Sequence, residues 1–146
     1  MSFIAMGLAL VLSALAALHV YWAFGGVWPG TDEKSCARAS AGFKGIDKMP
    51  PPAACFAVAF ALLLAAAFAL ALAGLITLPL PALLVTLAGA GAAIVFLGRG
   101  IAGFTPAWRK LTPEMPFAVN DRRYFSPLCL ALGAGFAILI FQGSTV

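Results

Sequence analysis

The sequence predicts an all-α membrane protein: a compact antiparallel bundle of four transmembrane helices, with both termini on the non-cytoplasmic side. Three observations predict it. Apolar residues make up 63% of the 146 residues and charged residues only 10%, against about 45–50% and about 25% in soluble domains. Side-chain charge is absent from Met1 to Thr31, from Met49 to Gly98 and from Tyr124 to Val146. The nine basic residues all lie outside those runs. With a mean hydropathy of +1.03, the composition excludes a soluble globular domain. It also excludes a disordered chain, which needs low hydrophobicity and high charge. The length suits one integral membrane domain, 1–146.

The first apolar run holds one span, near 3–24. A bilayer core of about 30 Å needs roughly 20 apolar residues as helix. This run also has the look of a signal peptide, but it lacks a basic leading region and its apolar stretch is long. A polar loop, 25–52, follows. Within it, Thr31 to about Ser40 places a capping residue ahead of acids, which predicts a short interfacial helix. The fifty-residue uncharged run from Met49 to Gly98 is long enough for two spans, near 53–76 and 82–99. Thr77-Leu78-Pro79-Leu80-Pro81 divides them, because proline lacks a backbone donor and clashes with a continuing helix. The loop 100–125 follows. There Thr112-Pro113-Glu114 reads as the start of a short turn or helix with an early proline. Asn120 or Asp121 can cap the fourth span, near 126–142. A barrel is the other fold that satisfies its backbone in lipid. Its strands would alternate apolar and polar residues, and Ala61 to Phe68 does not alternate.

Both long loops, 25–52 and 100–125, share one face of a four-span protein. They carry Lys34, Arg38, Lys44, Lys48, Arg109, Lys110, Arg122 and Arg123, and Arg99 lies at the edge. The hairpin between the second and third spans carries no charge. Basic loops stay cytoplasmic, so the loops are expected inside and both termini outside, in a bacterial inner membrane. The basic face would attract anionic membrane lipids. Nucleic acid is not an expected partner, because the basic residues are few and dispersed.

Lipid offers little hydrophobic drive for helices to associate, so small residues mark contacts. Gly89 with Ala93, Gly133 with Ala137 and Ala131 with Gly135 are small-xxx-small pairs. They serve a bundle, and a homodimer seam or a membrane-protein partner could use the same motif.

The polar residues of the spans gather at one depth, near the inner surface. His19, the single histidine, is an ionisable group within a span and hence a functional candidate. It shares a helix face with Trp22, and Tyr21 and Trp28 are close in sequence. Arg99 either snorkels to the headgroups or faces inward to a polar ligand. Arg122, Arg123, Tyr124 and Ser126 open the fourth span, where amide hydrogens and the helix dipole favour anions. The ligand-binding candidates are therefore His19, Tyr21, Trp22, Trp28, Arg99, Arg122, Arg123, Tyr124 and Ser126. No catalytic residue, cofactor or metal is assigned. A haem would need a second histidine from another chain, and no cysteine pair has ligand spacing. Cys36, Cys55 and Cys129 lack a C-x-x-C arrangement, and Cys55 and Cys129 read as packing residues. No acid is expected inside a span, which argues against a carboxylate proton relay.

Two runs carry a family resemblance: His19-Val20-Tyr21-Trp22-Ala23-Phe24-Gly25-Gly26-Val27-Trp28-Pro29 and Asn120-Asp121-Arg122-Arg123-Tyr124-Phe125-Ser126-Pro127-Leu128-Cys129. Together they resemble the small bacterial four-span membrane proteins catalogued as domain of unknown function 3995. The resemblance covers most of the chain and implies four helices. It implies no catalytic role. The leading expectation is a non-enzymatic module that binds an amphipathic molecule, lipid or quinone-like, in a pocket near the cytoplasmic face. The alternatives are an accessory or assembly subunit of a larger membrane complex, then a small transporter acting as a dimer, or a lipid enzyme with His19 as general base.

Overall fold

The computed structural model describes residues 1–143; the last three residues of the expected domain lie outside the described ones. The described residues form helices and no strand. Four of the helices, or continuous helical runs, are long and apolar enough to cross a membrane: Ser2–Ala23, Pro52–Leu72, Ala82–Ala102 and Phe117–Gly143. This is a multi-pass membrane protein.

Helix α1 (Ser2–Ala23) buries Ala5, Leu8, Leu12 and Ala16. Their spacing of three and four residues makes one stripe along a helix. Helix α3 (Pro52–Leu72) answers with Cys55, Ala59, Ala66 and Ala69, and these two helices form the most extensive helix–helix contact. Small side chains on α3 let the backbones approach, so that van der Waals contact replaces the absent hydrophobic drive. Neither stripe shows in the hydropathy pattern, because both helices are apolar all round.

The second close pair is α4 (Ala82–Ala102) with α7 (Ser126–Gly143). Gly89 faces Leu72 and Ile140, Gly133 faces Leu97, and Gly100 faces Leu130. Residue numbers therefore rise along α4 as they fall along α7. Phe96 and Phe136 stack between them at 6.2 Å. Gly135 receives Leu8 of α1 and joins the pairs. Phe136, Leu12 and Leu139 are fully buried at the centre. Thus Gly89, Gly100, Gly133 and Gly135 are filled by leucines and an isoleucine of the same chain, while Gly91 and Gly98 of α4 have open space beside them.

Prolines and glycines set several of the helix ends. Pro51 and Pro52 start α3, and Pro81 precedes α4. Helix α3 stops four residues short of the expected 76. Gly74 takes φ +69°, and the Leu75 amide donates to the Leu70 carbonyl at 3.0 Å. This glycine turn satisfies the end of the helix before the proline hinge is reached. At the end of α1, Gly25 at φ +86° does the same work, and the Gly26 amide donates to the Tyr21 carbonyl at 3.0 Å.

The two basic loops fold together over one end of the bundle. In the first, α2 (Glu33–Ser40) is capped by Asp32, whose carboxylate accepts from the Ser35 amide at 2.7 Å. The Ser35 hydroxyl accepts from the Asp32 amide in return, a reciprocal capping box. Cys36 and Ala37 are fully buried beneath it. In the second loop, the short helix starts earlier than Thr112. It is α5 (Pro106–Leu111), capped by Thr105; the same threonine–proline pattern occurs seven residues upstream. The loops are joined by Lys44 N to Leu111 O and Glu114 N to Gly42 O, each at 3.1 Å. Glu114 also accepts from the Gly45 amide at 2.9 Å and pairs with Arg38.

The fourth span differs most from its expected bounds. Its helical run begins at α6 (Phe117–Asn120), passes through a π-helical stretch, Asp121–Phe125, and continues as α7. Asn120 and Asp121 lie within this run and do not cap it. The helical run begins nine residues before 126 and contains an acid, Asp121, upstream of the expected span.

Candidate functional site

Asp121 is the best-held ionic group in the molecule. Its side chain is 0% exposed. Arg99 donates to Oδ1 at 2.6 Å. Arg109 and the Trp108 indole each donate to Oδ2 at 3.0 Å. A buried carboxylate requires this kind of pairing. The π stretch makes the orientation workable: it places Asp121 inward while Arg122, Arg123 and Tyr124 are exposed. Such segments frequently occur at functional positions.

The network ties α4, α5 and the π stretch together. Arg109 also donates to the Gly103 carbonyl, from Nε at 3.0 Å and Nη2 at 2.6 Å, and to the Ala118 carbonyl. The Arg99 guanidinium lies 4.4 Å from the centre of the Trp108 ring, a cation–π contact. Its Nη1 donates to buried Ser126 at 3.4 Å. A side chain at Gly103 would overlap the Ser126 hydroxyl, so this crossing requires glycine. Arg99 therefore neither snorkels freely nor stands as an unpaired anion receptor.

Beside this anchor lie two adjoining cavities, of about 500 and about 460 Å³. Both fall in the range of roughly 300–1,000 Å³ seen for small-molecule sites. The first is a half-open cleft bordered by α1, α3, α4 and the loops, with Phe43, Met49, Cys55, Arg99 and Trp108 among its walls. The second lies between α1 and the fourth span, with Trp28, Phe96, Asn120, Tyr124 and Cys129 among its walls. His19, Trp22 and Ser40 line both. These three residues form the seam.

The seam residues have defined hydrogen-bonding states. His19 Nδ1 lies 2.8 Å from the Leu15 carbonyl, one turn back. A carbonyl can only accept, so in the neutral ring Nδ1 holds the proton and Nε2 keeps a lone pair. No hydrogen bond to Nε2 occurs among the described residues. The Trp22 ring meets the imidazole edge-on at 5.0 Å, and its Nε1 donates to the Trp28 carbonyl at 2.7 Å. Ser40 donates its hydroxyl proton to the Cys36 carbonyl at 2.7 Å.

The structure thus brings His19, Trp22, Trp28, Arg99 and Tyr124 to the cavities. It places the other sequence candidates elsewhere. The Tyr21 hydroxyl accepts from the Trp28 amide at 3.3 Å, and its ring lies against Gly26, so it braces the turn after α1. Arg122 and Arg123 point outward, with Arg123 over the Tyr124 ring at 5.3 Å. Ser126 is buried against Gly103. Sequence reasoning missed Ser40 and the Asp121–Arg109–Trp108 group. The one signal for Asp121 was an acid beside two arginines at a helix start, which is equally the mark of a solvated cap.

Burial within the loop layer raises the Cys36 thiol above its ordinary range. The Ser35 amide holds the Asp32 carboxyl below the ordinary range.

The family model described as "Protein of unknown function (DUF3995)" matches residues 12–136. The chain belongs to that family. No curated protein and no solved structure matches it.

Proposed function

We propose that this member of the DUF3995 family is a bacterial inner-membrane protein that binds an amphipathic molecule near the cytoplasmic face. One observation carries the reading: two mostly apolar cavities meet at a small polar seam, next to a carboxylate–arginine anchor that holds one wall. Few polar groups in an apolar site is how small-molecule sites combine affinity with orientation. Gly89, Gly100, Gly133 and Gly135 each already meet side chains of this chain, whereas Gly91 and Gly98 leave one face of α4 open, so docking of a partner through that face is the second reading. Membrane lipids are the ready source of such a ligand.

The direct test is native mass spectrometry of protein extracted in mild detergent. Wild type should carry a stoichiometric small-molecule adduct. Ala54→Phe, which adds a ring at a position lining the first cavity, should lose it while keeping the helical circular dichroism of wild type. A wild-type protein released bare would overturn the reading. In the proposed orientation, cysteines introduced at Lys44 and Lys110 react with a membrane-impermeant maleimide in inverted vesicles and not in intact cells. The reverse pattern would place the loops outside.

A further inference from the structure

We infer that the site, on the reading just proposed, selects an uncharged headgroup that donates a hydrogen bond, such as a hydroxyl, over an anionic headgroup. The Leu15 carbonyl takes the Nδ1 proton of His19, so Nε2 of the neutral ring offers only a lone pair to a neighbour. The Ser40 proton is held inside the protein by the Cys36 carbonyl at 2.7 Å, with the Met49 sulfur at 3.5 Å as its other neighbour. Outward, that hydroxyl also accepts. The Trp22 N–H is committed to the Trp28 carbonyl. The three side chains of the seam therefore present acceptors and no free donor; the Asn120 amide and the Tyr124 hydroxyl, which can donate, line the second cavity alone. An acceptor-only headgroup would leave its own lone pairs and those of His19 facing each other.

The cation that lines the first cavity is already engaged. Arg99 is paired with Asp121 at 2.6 Å, and Trp108 covers its guanidinium at 4.4 Å. Asp121 is shared with Arg109, so a net positive charge remains at this wall, and hexadecanoate binding reads whether it outweighs the acceptors of the seam. Arg122 and Arg123 are exposed and line neither cavity. An alkyl chain ending in a hydroxyl fits this arrangement: the chain lies along apolar walls, and the O–H donates to His19 Nε2.

Three probes of one chain length separate the possibilities: hexadecanol, hexadecyl methyl ether and hexadecanoate. Each is titrated into the delipidated full chain in detergent, and binding is read by native mass spectrometry. Hexadecanol should bind, with the ether about tenfold weaker, the loss of one hydrogen bond to a site group left unpaired. Hexadecanoate should be weaker than hexadecanol. In His19→Phe, which keeps a ring beside Trp22, alcohol and ether should bind alike. That convergence reads the hydrogen bond itself and would not follow from a packing role for His19. Ser40→Ala, if His19→Phe fails to fold, should likewise narrow the difference. Equal binding of alcohol and ether to wild type, or a preference for hexadecanoate, overturns the headgroup inference and leaves the pocket standing. Binding of none of the three overturns the pocket along with it.

Discussion

Replacing Asp121 should loosen the whole loop-bearing end of the protein. The side chain is 0% exposed and accepts from two guanidinium groups and an indole, at 2.6, 3.0 and 3.0 Å. Removing one member of a buried ion pair typically costs about 3–5 kcal/mol, because the partner is left uncompensated. Here the partners keep some access to water: the Arg99 and Arg109 side chains are 29% and 24% exposed. That places Asp121→Ala at the low end, about 3 kcal/mol. Asp121→Asn keeps one accepting oxygen and the shape, so it should cost less, roughly 2 kcal/mol. For a chain of this size a 3 kcal/mol loss corresponds to a Tm drop of roughly 10 °C. The chain carries its own reporters. Cys36 and Cys55 are buried, so a thiol-reactive fluorophore in detergent reads their exposure on heating. A double-mutant cycle then tests the pairing. Once Arg99→Ala has removed a partner, Asp121→Ala should cost less, with a coupling on the order of 1–3 kcal/mol. If Asp121→Ala melts within about 2 °C of wild type, or the two changes add within about 0.5 kcal/mol, the network is not a stabilising anchor.

Gly103→Ala should destabilise by about 1–3 kcal/mol, because the new methyl would overlap the Ser126 hydroxyl in a close-packed crossing. Gly91→Ala, with nothing within 4 Å of the added carbon, is the matched control and should melt near wild type. The Cys36 thiol, buried and raised above its ordinary range, should alkylate slowly at pH 8, where less of it is thiolate than of an exposed cysteine. Denaturant should restore the ordinary rate, and fast alkylation of the folded protein would contradict its burial. The Asp32 carboxyl is lowered in the folded state by the Ser35 amide. Its contribution to α2 is therefore present above the ordinary carboxyl pKa of about 3.9 and is lost as pH falls through the folded value. Hydrogen exchange of the α2 amides should show protection that declines below about pH 4, and Asp32→Ala should remove that pH dependence.

Much of this molecule is legible along one dimension. Apolar runs, their lengths and the Pro79–Pro81 break specify four spans. The loop charges specify a shared basic face. Asp32, followed by Ser35 at the third helical position, specifies α2. These are local signals: hydropathy, charge and proline act on the residues that carry them. His19 and Trp22 are legible for the same reason, as polar side chains one turn apart in an apolar helix.

The rest depended on groups that only folding brings together. The partners of Asp121 lie 22, 13 and 12 residues away. A carboxylate at that point of the sequence reads as a solvated cap until two guanidiniums and an indole arrive from α4 and α5. The same acid, once paired, can continue inside a helix, so the helical run that carries the fourth span starts at 117 and not 126. Which stripe of a uniformly apolar helix is buried is likewise set by the neighbour that fits against it. Ser40 became part of a seam because α2 lines the same two cavities as His19 and Trp22 of α1 and the Ser40 proton is drawn inward to the Cys36 carbonyl. The sequence by itself determined the elements and the face that carries charge, because those follow from the transfer of each side chain between water and lipid. The tertiary structure alone decided which charges are buried, which polar atoms stay open and where the cavities lie. Those properties belong to pairs of groups, and the free energy of a buried charge or an unmade hydrogen bond is set by its partner.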